Sequence, residues 1–192
     1  MPRSAQIFWL LVVSLCGATL WFSAGIGAQR ATLGEAKVGL QTGDLVTLGT
    51  IVDGDTLQVK KEGKDAGLVR LVGITAFSTR TEKDAAAEFG RAAETTLRSL
   101  AAGRPVRLLL NTPPTDRFGR TLATLYADEQ DLGLELVRRG LVLVYPVHPF
   151  PAMSQYAQEQ AAARRDRRGL WAHPKATERA EALLAEWRLR AP

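Results

Sequence analysis

The pattern of hydrophobic and polar positions changes along the chain. From residue 4 to residue 29 no side chain is charged and apolar side chains dominate. Short runs rich in Val, Ile, Leu and Thr follow, separated by turns rich in Gly and Asp, which is typical of β-strands. Later stretches repeat apolar residues every three or four positions, which is typical of helices. The pattern therefore predicts a charge-free leader, a strand region and a helical C-terminal part.

The strand region and the helices favour one fold class. The predicted strands are residues 45–52, 56–60, 68–74, 106–110 and 121–126, and residues 141–145 are extended. The predicted helices are residues 82–100, 132–139, 153–165 and 176–189, and residues 111–119 form a loop. Short hairpin loops join the first three strands, which argues against a parallel sheet. We therefore predict an α+β fold, an OB-type five-stranded Greek-key barrel with packed helices.

The N-terminal segment, residues 1–28, is interpreted as a signal peptide or a membrane anchor. Its uncharged run follows Arg3 and is long enough to span a bilayer, which needs roughly 20 residues. We expect a protein that is exported, to the periplasm or outside the cell, or held at the membrane by this segment. Cys16 lies inside it, so its removal would leave no cysteine for disulfides or thiolate metal sites.

The remaining chain divides by composition. Residues 29–43 are small and polar and form a predicted linker, residues 44–174 form the barrel domain, and residues 175–192 form a helical extension. The chain has 192 residues, 46% of them hydrophobic, and a net charge of +5. These values exclude a disordered, a collagen-like or a multi-span membrane protein, and the charge favours anionic partners.

Three motifs carry candidate chemistry. Asp53-Gly54-Asp55 could hold a hard cation through carboxylate oxygens. Arg70 between apolar strand residues, and Asp116-Arg117-Phe118-Gly119-Arg120, could bind a phosphate through guanidinium groups. Taken singly, ordinary turns and a solvated strand face explain these motifs better.

Taken together, the motifs resemble the staphylococcal nuclease-like (thermonuclease) family in order and spacing. The resemblance runs from about residue 45 to residue 171 and implies an OB-type barrel and calcium-dependent hydrolysis of DNA and RNA phosphodiesters. The segments that carry it are Val52-Asp53-Gly54-Asp55-Thr56-Leu57, Val69-Arg70-Leu71-Val72-Gly73-Ile74, Phe89-Gly90, Asp116-Arg117-Phe118-Gly119-Arg120-Thr121-Leu122-Ala123, Leu136-Val137-Arg138-Arg139-Gly140-Leu141 and Gly169-Leu170-Trp171.

The resemblance implies roles for five residues. Asp55 matches a calcium-ligand aspartate, Asp53 matches an acidic residue that supports the site, and Thr56 matches a neighbour of the metal. Arg70 and Arg120 match the two arginines that hold the scissile phosphate and stabilise its developing charge. They are therefore the candidate catalytic and phosphate-binding residues.

The segment after the third strand departs from the family pattern Gly-Ile-Asp-Ala-Pro-Glu. Thr75 stands where the second calcium-ligand aspartate belongs, and Ser78 stands at the position of the general-base glutamate. Phe118 replaces a phosphate-contacting tyrosine of some members. Calcium would then bind weakly if the site were active, and a purely binding site would need no cofactor.

These departures lead to three hypotheses. The first is a domain that binds nucleic-acid or nucleotide phosphates, with hydrolysis lost or strongly reduced. The second is an active extracytoplasmic calcium-dependent nuclease with an altered metal shell. The third is a non-catalytic scaffold or interaction module, in which the C-terminal helix contacts a protein partner.

Other charged and aromatic residues have competing interpretations. Glu82, Asp84 and Glu88 could supply a replacement carboxylate, but acidic residues are also expected at a helix start. The basic run 164–168 could bind phosphates or acidic lipid headgroups, but basic residues also suit a helix end. Tyr145 could approach the phosphate pocket. The apolar face of the last helix, with Ala180, Leu183, Leu184 and Trp187, could pack on the barrel or bind a partner.

Overall fold

The computed structural model describes residues 39–79, 84–147 and 150–190, which form one compact unit. The predicted signal or anchor, Cys16, Glu82 and most of the linker lie outside these ranges. Within them, no helix combines the length and the apolar surface needed to cross a membrane.

Five strands form a closed barrel, as predicted. The strands are β1 Leu45–Asp53, β2 Thr56–Lys61, β3 Lys64–Leu71, β4 Ile74–Ala76, β5 Val106–Thr115, β6 Thr121–Ala127, β7 Gln130–Asp131 and β8 Val142–Val144. The hydrogen-bonded order is β3-β2-β1-β5-β6, and a parallel pairing of β3 with β6 closes the ring. Strands β4 and β8 form a separate two-stranded sheet.

Helices cover parts of the barrel and contain the expected apolar faces. Phe89, Ala93 and Leu97 of the first helix are buried, at the spacing that predicted the helix. The helices are α1 Ala87–Leu100, α2 Leu132–Arg138, α3 Met153–Arg165 and α4 Pro174–Arg188, with a 3-10 turn at Gly169–Ala172.

The predicted third strand, residues 68–74, is in fact two strands. Strand β3 ends at Leu71, and Gly73 turns the chain with a φ of +75°. A Cβ at Gly73 would lie 2.2 Å from the Phe150 ring, so only glycine fits this turn. The chain therefore leaves the barrel, and β4 pairs with β8 instead.

The predicted loop 111–119 is partly strand. Strand β5 continues through Pro113 and Pro114 to Thr115, which pairs with Thr121. The last four residues of β5 are exposed, which is where prolines are tolerated in a sheet because little ladder hydrogen bonding is lost.

The predicted apolar face of the C-terminal helix is covered by the chain itself. Ala180, Leu184 and Trp187 of α4 are buried, and Leu183 is partly buried against the core. This packing is the first of the two alternatives that the sequence left open, and it makes α4 part of the compact unit.

Candidate phosphate-binding site

Asp55 lies at the turn between β1 and β2, and its carboxylate is fully engaged by neighbours. Its Oδ1 accepts a hydrogen bond from Thr56 Oγ1 at 2.9 Å, and its Oδ2 accepts one from the Ala76 amide at 2.7 Å. The same Oδ2 lies 3.2 Å from Nη2 of Arg70. The Asp55 amide in turn donates to Asp53 Oδ1 at 3.2 Å.

The turn that carries Asp55 is fixed by close packing. A Cβ at Gly54 would lie 2.6 Å from Cβ of Ala93 in α1 and 2.8 Å from Cβ of Ala76 in β4. Glycine therefore allows the turn to contact both elements directly. As a result, Asp55 is only 6% exposed.

Arg70 connects the barrel to β4. It pairs with Thr56 across the β2–β3 ladder, and its Nη1 donates to the Leu71 carbonyl at 2.9 Å. Its Nη2 donates to Thr75 Oγ1 at 3.3 Å and contacts Asp55. The threonine hydroxyl thus takes part in holding the guanidinium.

Arg120 reaches the same place from the turn between β5 and β6. Its Nη1 donates to Thr56 Oγ1 at 3.3 Å. Its Nε and Nη2 each lie 2.7 Å from Asp116 Oδ2. The parallel register Val69↔Thr121 brings this turn beside Arg70, so the structure places both predicted arginines around Asp55 and Thr56.

Asp116 orients Arg120, a role that the sequence analysis did not predict. Its Oδ1 accepts from the amides of Phe118 at 2.9 Å and Arg120 at 3.0 Å, while its Oδ2 orients the Arg120 guanidinium. An aspartate that opens a turn, with glycine three residues later, is the signal that could have revealed this role.

The electrostatics of the site follow from burial and from the close charges. Burial raises the pKa of Asp55 to about 6, although the Arg70 guanidinium opposes this rise. Burial also lowers the pKa of Arg70, although the Asp55 carboxylate opposes that shift; a guanidinium nevertheless stays charged in proteins. Burial acts to raise the pKa of Asp116, but the hydrogen bonds from Arg120 outweigh it and hold that pKa below its ordinary value.

The segment with the missing carboxylates supplies only hydroxyl groups. Thr75 accepts its hydrogen bond from Arg70, and Ser78 is exposed just beyond β4. Asp84 accepts from the Ala86 amide, just before α1, at 2.9 Å and lies 3.7 Å from Arg179, so its carboxylate binds protein groups. Glu88 is exposed in the first turn of α1.

The described residues at the site do not fit a multi-carboxylate calcium centre. Calcium takes six to eight oxygen ligands, and its affinity depends on how many carboxylates contribute. Both oxygens of Asp55 already bind protein groups, and Arg70 lies 3.2 Å from one of them. Among the described residues, no group of three or more His, Cys, Asp or Glu could hold a metal ion.

Phe118 stands out as an exposed aromatic ring beside the arginines. It is 68% exposed, and the guanidinium carbons of Arg117 and Arg120 lie 4.8 and 5.4 Å from its ring centroid. Tyr145, by contrast, packs its ring against Trp187, with the ring centroids 4.9 Å apart.

The basic run 164–168 is largely paired with acidic groups. Arg164 forms an ion pair with Glu181 of α4. Arg165 and Arg168 both contact Asp166, at 2.9 and 3.4 Å. These pairs agree with a solvated helix end rather than a second anion site.

Comparisons with known proteins find related nucleases. The chain is 37% identical to an "Uncharacterized endonuclease" of Haemophilus influenzae over 122 residues, which cover 64% of this chain and 63% of that protein. It is 29% identical to a "Thermonuclease" of Staphylococcus intermedius over 114 residues, 58% of this chain and 67% of that protein. It is 30% identical to "Endonuclease YhcR" of Bacillus subtilis over 131 residues, 63% of this chain but 11% of that protein.

The chain thus spans less than two thirds of the Haemophilus protein and only a small part of the Bacillus one. The sequence profile of the staphylococcal nuclease homologues matches residues 68–173, more than half of the chain. That region holds Arg70 and Arg120, and it begins after Asp55 and Thr56. Together with the closed barrel, the match shows that the chain belongs to the staphylococcal nuclease homologue family.

Proposed function

We propose that this domain binds the phosphates of nucleic acids or nucleotides through Arg70 and Arg120, and that it hydrolyses phosphodiesters slowly. The observation that carries the proposal is the convergence of the two guanidinium groups on Asp55 and Thr56. Guanidinium groups bind phosphate oxygens with strong, bidentate hydrogen bonds. Calcium is at most a weak ligand in this proposal, and residues 1–28 export the protein or anchor it to the membrane.

The weak hydrolysis follows from the two replaced carboxylates. A serine hydroxyl at position 78 cannot act as a general base near neutral pH, and such assistance is commonly worth about 10²- to 10⁴-fold in rate. Thr75 supplies a neutral oxygen that already accepts from Arg70. The site can therefore hold a phosphate without a well-placed ion or water.

A second candidate function is a calcium-dependent nuclease with an altered metal shell. The printed names of the relatives, "endonuclease" and "thermonuclease", favour it. Incubation of the full chain with single-stranded DNA and RNA, in millimolar calcium and then in chelator, separates the two candidates. Rapid calcium-dependent cleavage that disappears in Asp55→Ala would establish the nuclease and refute the binding proposal.

Arg120→Ala is expected to weaken binding of a fluorescent thymidine oligonucleotide by about 10- to 100-fold. Hydrogen bonds to charged groups contribute roughly 1.5 to 3 kcal/mol each, and this variant removes several at once. Affinity measured by fluorescence anisotropy at several salt concentrations gives the effect. Each lost phosphate contact should also reduce the slope of log affinity against log salt by roughly 0.7.

Arg165→Ala is the matched control for this experiment. It removes the same charge from a side chain that is 74% exposed and paired with Asp166. Its affinity should stay close to that of the wild type. Equal losses in both variants would mean that overall charge, and not the site, binds the oligonucleotide.

Phe118→Ala is expected to weaken binding of the same oligonucleotide by about 5- to 150-fold. An exposed ring beside phosphate-binding guanidinium groups is suited to stack an unpaired base, and such stacking is worth roughly 1 to 3 kcal/mol per base. Phe118→Tyr should keep the affinity because it keeps the ring. An abasic oligonucleotide should bind wild type and Phe118→Ala alike; a loss with that ligand too would argue against stacking.

A further inference from the structure

We infer that helix α4 positions the phosphate-binding arginine Arg70 by holding strand β4 in place, with Trp187 as the main positioning residue. Helix α4 begins at Pro174, directly after the part of the chain that matches the family. The inference rests on the proposed function for its effect on affinity, but its structural part can be tested separately.

Strand β4 needs support from outside the barrel. It has three residues and forms a two-stranded sheet with the three residues of β8, and such a sheet is marginally stable by itself. The pairing continues where the Tyr145 amide donates to the Gly73 carbonyl at 2.9 Å. Strand β8 is also bound by α3, because the Val144 amide donates to Gln160 Oε1 at 2.8 Å. Packing around Tyr145 therefore adds to the contacts that hold β4, beside those of Ala76 with the Gly54 turn and with Asp55.

Helix α4 supplies this packing. The Trp187 ring meets the Tyr145 ring edge to face, with centroids 4.9 Å apart and an interplanar angle of 87°. Trp187 is only 7% exposed and Tyr145 is partly buried, so the contact lies at the edge of the core. Aromatic pairs of this kind add to the stabilisation that burial alone provides.

Helix α4 also contacts the chain beyond the other end of β4. Arg179 lies 3.7 Å from Asp84, which accepts a hydrogen bond from the Ala86 amide just before α1. His173, which precedes α4, packs edge to face on Phe89 of α1 at 5.2 Å. The Arg179 side chain is half exposed, so its ion pair contributes little, and Trp187 is the stronger of the two anchors.

The effect on the site passes through two atoms of β4. Thr75 Oγ1 accepts a hydrogen bond from Arg70, and the Ala76 amide binds the Asp55 oxygen that also contacts Arg70. A shift of β4 therefore changes the orientation of Arg70 directly. Small misplacements of a binding group have large effects on the interaction it makes.

The test compares Trp187→Ala, Trp187→Phe and Leu184→Ala in the full chain. Leu184→Ala also removes buried apolar surface from α4 but leaves the Trp187–Tyr145 contact in place. Amide hydrogen exchange of Ala76 and Tyr145 reports local opening of β4, and anisotropy with the thymidine oligonucleotide reports affinity. The melting temperature is recorded for each variant.

In Trp187→Ala, exchange at Ala76 and Tyr145 should be about tenfold faster than in Leu184→Ala, and affinity should fall about fivefold further. Trp187→Phe should recover most of both effects because it restores an aromatic edge. Equal exchange and affinity in Trp187→Ala and Leu184→Ala would overturn the inference, since α4 would then only add general stability. If Trp187→Ala does not fold, Trp187→Leu replaces it with the same expectations.

The two proposals fail in different ways. If the wild type does not bind the oligonucleotide, the proposed function fails, and the exchange data alone decide the role of α4. If the wild type binds but exchange at Ala76 and Tyr145 is the same in all variants, the inference fails and the proposed function stands.

Discussion

Thr75→Asp combined with Ser78→Glu is expected to increase calcium-dependent cleavage of single-stranded DNA by about 10²- to 10⁴-fold. The first change adds a charged ligand beside Asp55, and the second places a carboxylate where a general base can activate water. Asp55, Arg70 and Arg120 are already assembled, so the new groups would join a formed pocket. Initial cleavage rates with calcium and with chelator measure the gain.

Thr75→Asn with Ser78→Gln is the matched control for the restored carboxylates. These side chains have nearly the same shape but carry no charge and cannot act as bases. Their cleavage rate should stay at the wild-type level. If both double variants fold but stay inactive, the site lacks more catalytic groups than the two carboxylates at positions 75 and 78.

Arg70→Met is expected to lower the free energy of unfolding by about 3 kcal/mol near neutral pH. The Arg70 and Asp55 side chains are only 15% and 9% exposed, and removal of one partner from a buried ion pair leaves an uncompensated charge. Oligonucleotide binding should be lost as well, because the guanidinium is gone. Urea unfolding followed by tryptophan fluorescence measures the stability.

The stability loss in Arg70→Met should depend on pH in a defined direction. Asp55 already has a pKa raised from 3.8 to about 6 in the folded protein, and removal of the opposing Arg70 charge raises it further. The folded state then binds a proton that the unfolded state releases, so stability falls as pH rises from about 4 through the folded pKa. The deficit relative to wild type should therefore be larger at pH 8 than at pH 5.

Arg70→Met combined with Asp55→Asn tests the cause of this loss. The asparagine keeps an oxygen for the Ala76 amide but removes the buried charge. The double variant should recover most of the stability that Arg70→Met loses at pH 8. Its stability should no longer fall between pH 5 and pH 8, because position 55 does not titrate. A double variant as unstable as Arg70→Met would show that packing, and not charge, produces the loss.

The sequence predicted most of the barrel because its strands alternate in a simple way. Leu57 and Val59 are buried on one face of β2, as Val69 and Leu71 are on β3. It missed the break after Leu71, because Val72 and Ile74 continue the apolar pattern and the local pattern does not show where a strand changes partners. The Phe150 ring that enforces the turn lies far away in sequence.

The candidate site was predicted residue by residue only through the family resemblance. Asp53-Gly54-Asp55 and the arginine motifs are also compatible with ordinary turns. The role of Asp116 was not predicted, because it depends on where the Arg120 side chain points after the turn has formed. Whether Asp84 supplies a carboxylate to the site could not be predicted either, because it forms an ion pair with Arg179 of a helix distant in sequence.

The sequence by itself determined the barrel class, the presence of both arginines and the absence of carboxylates at positions 75 and 78. These features depend on residue type and local periodicity, which the chain carries without folding. Only the tertiary structure decided that Arg70 forms an ion pair with Asp55, that Thr75 accepts a hydrogen bond from Arg70 and that α4 packs against Tyr145. Such contacts join residues distant along the chain, and they form only when packing of the whole core fixes the positions of the side chains.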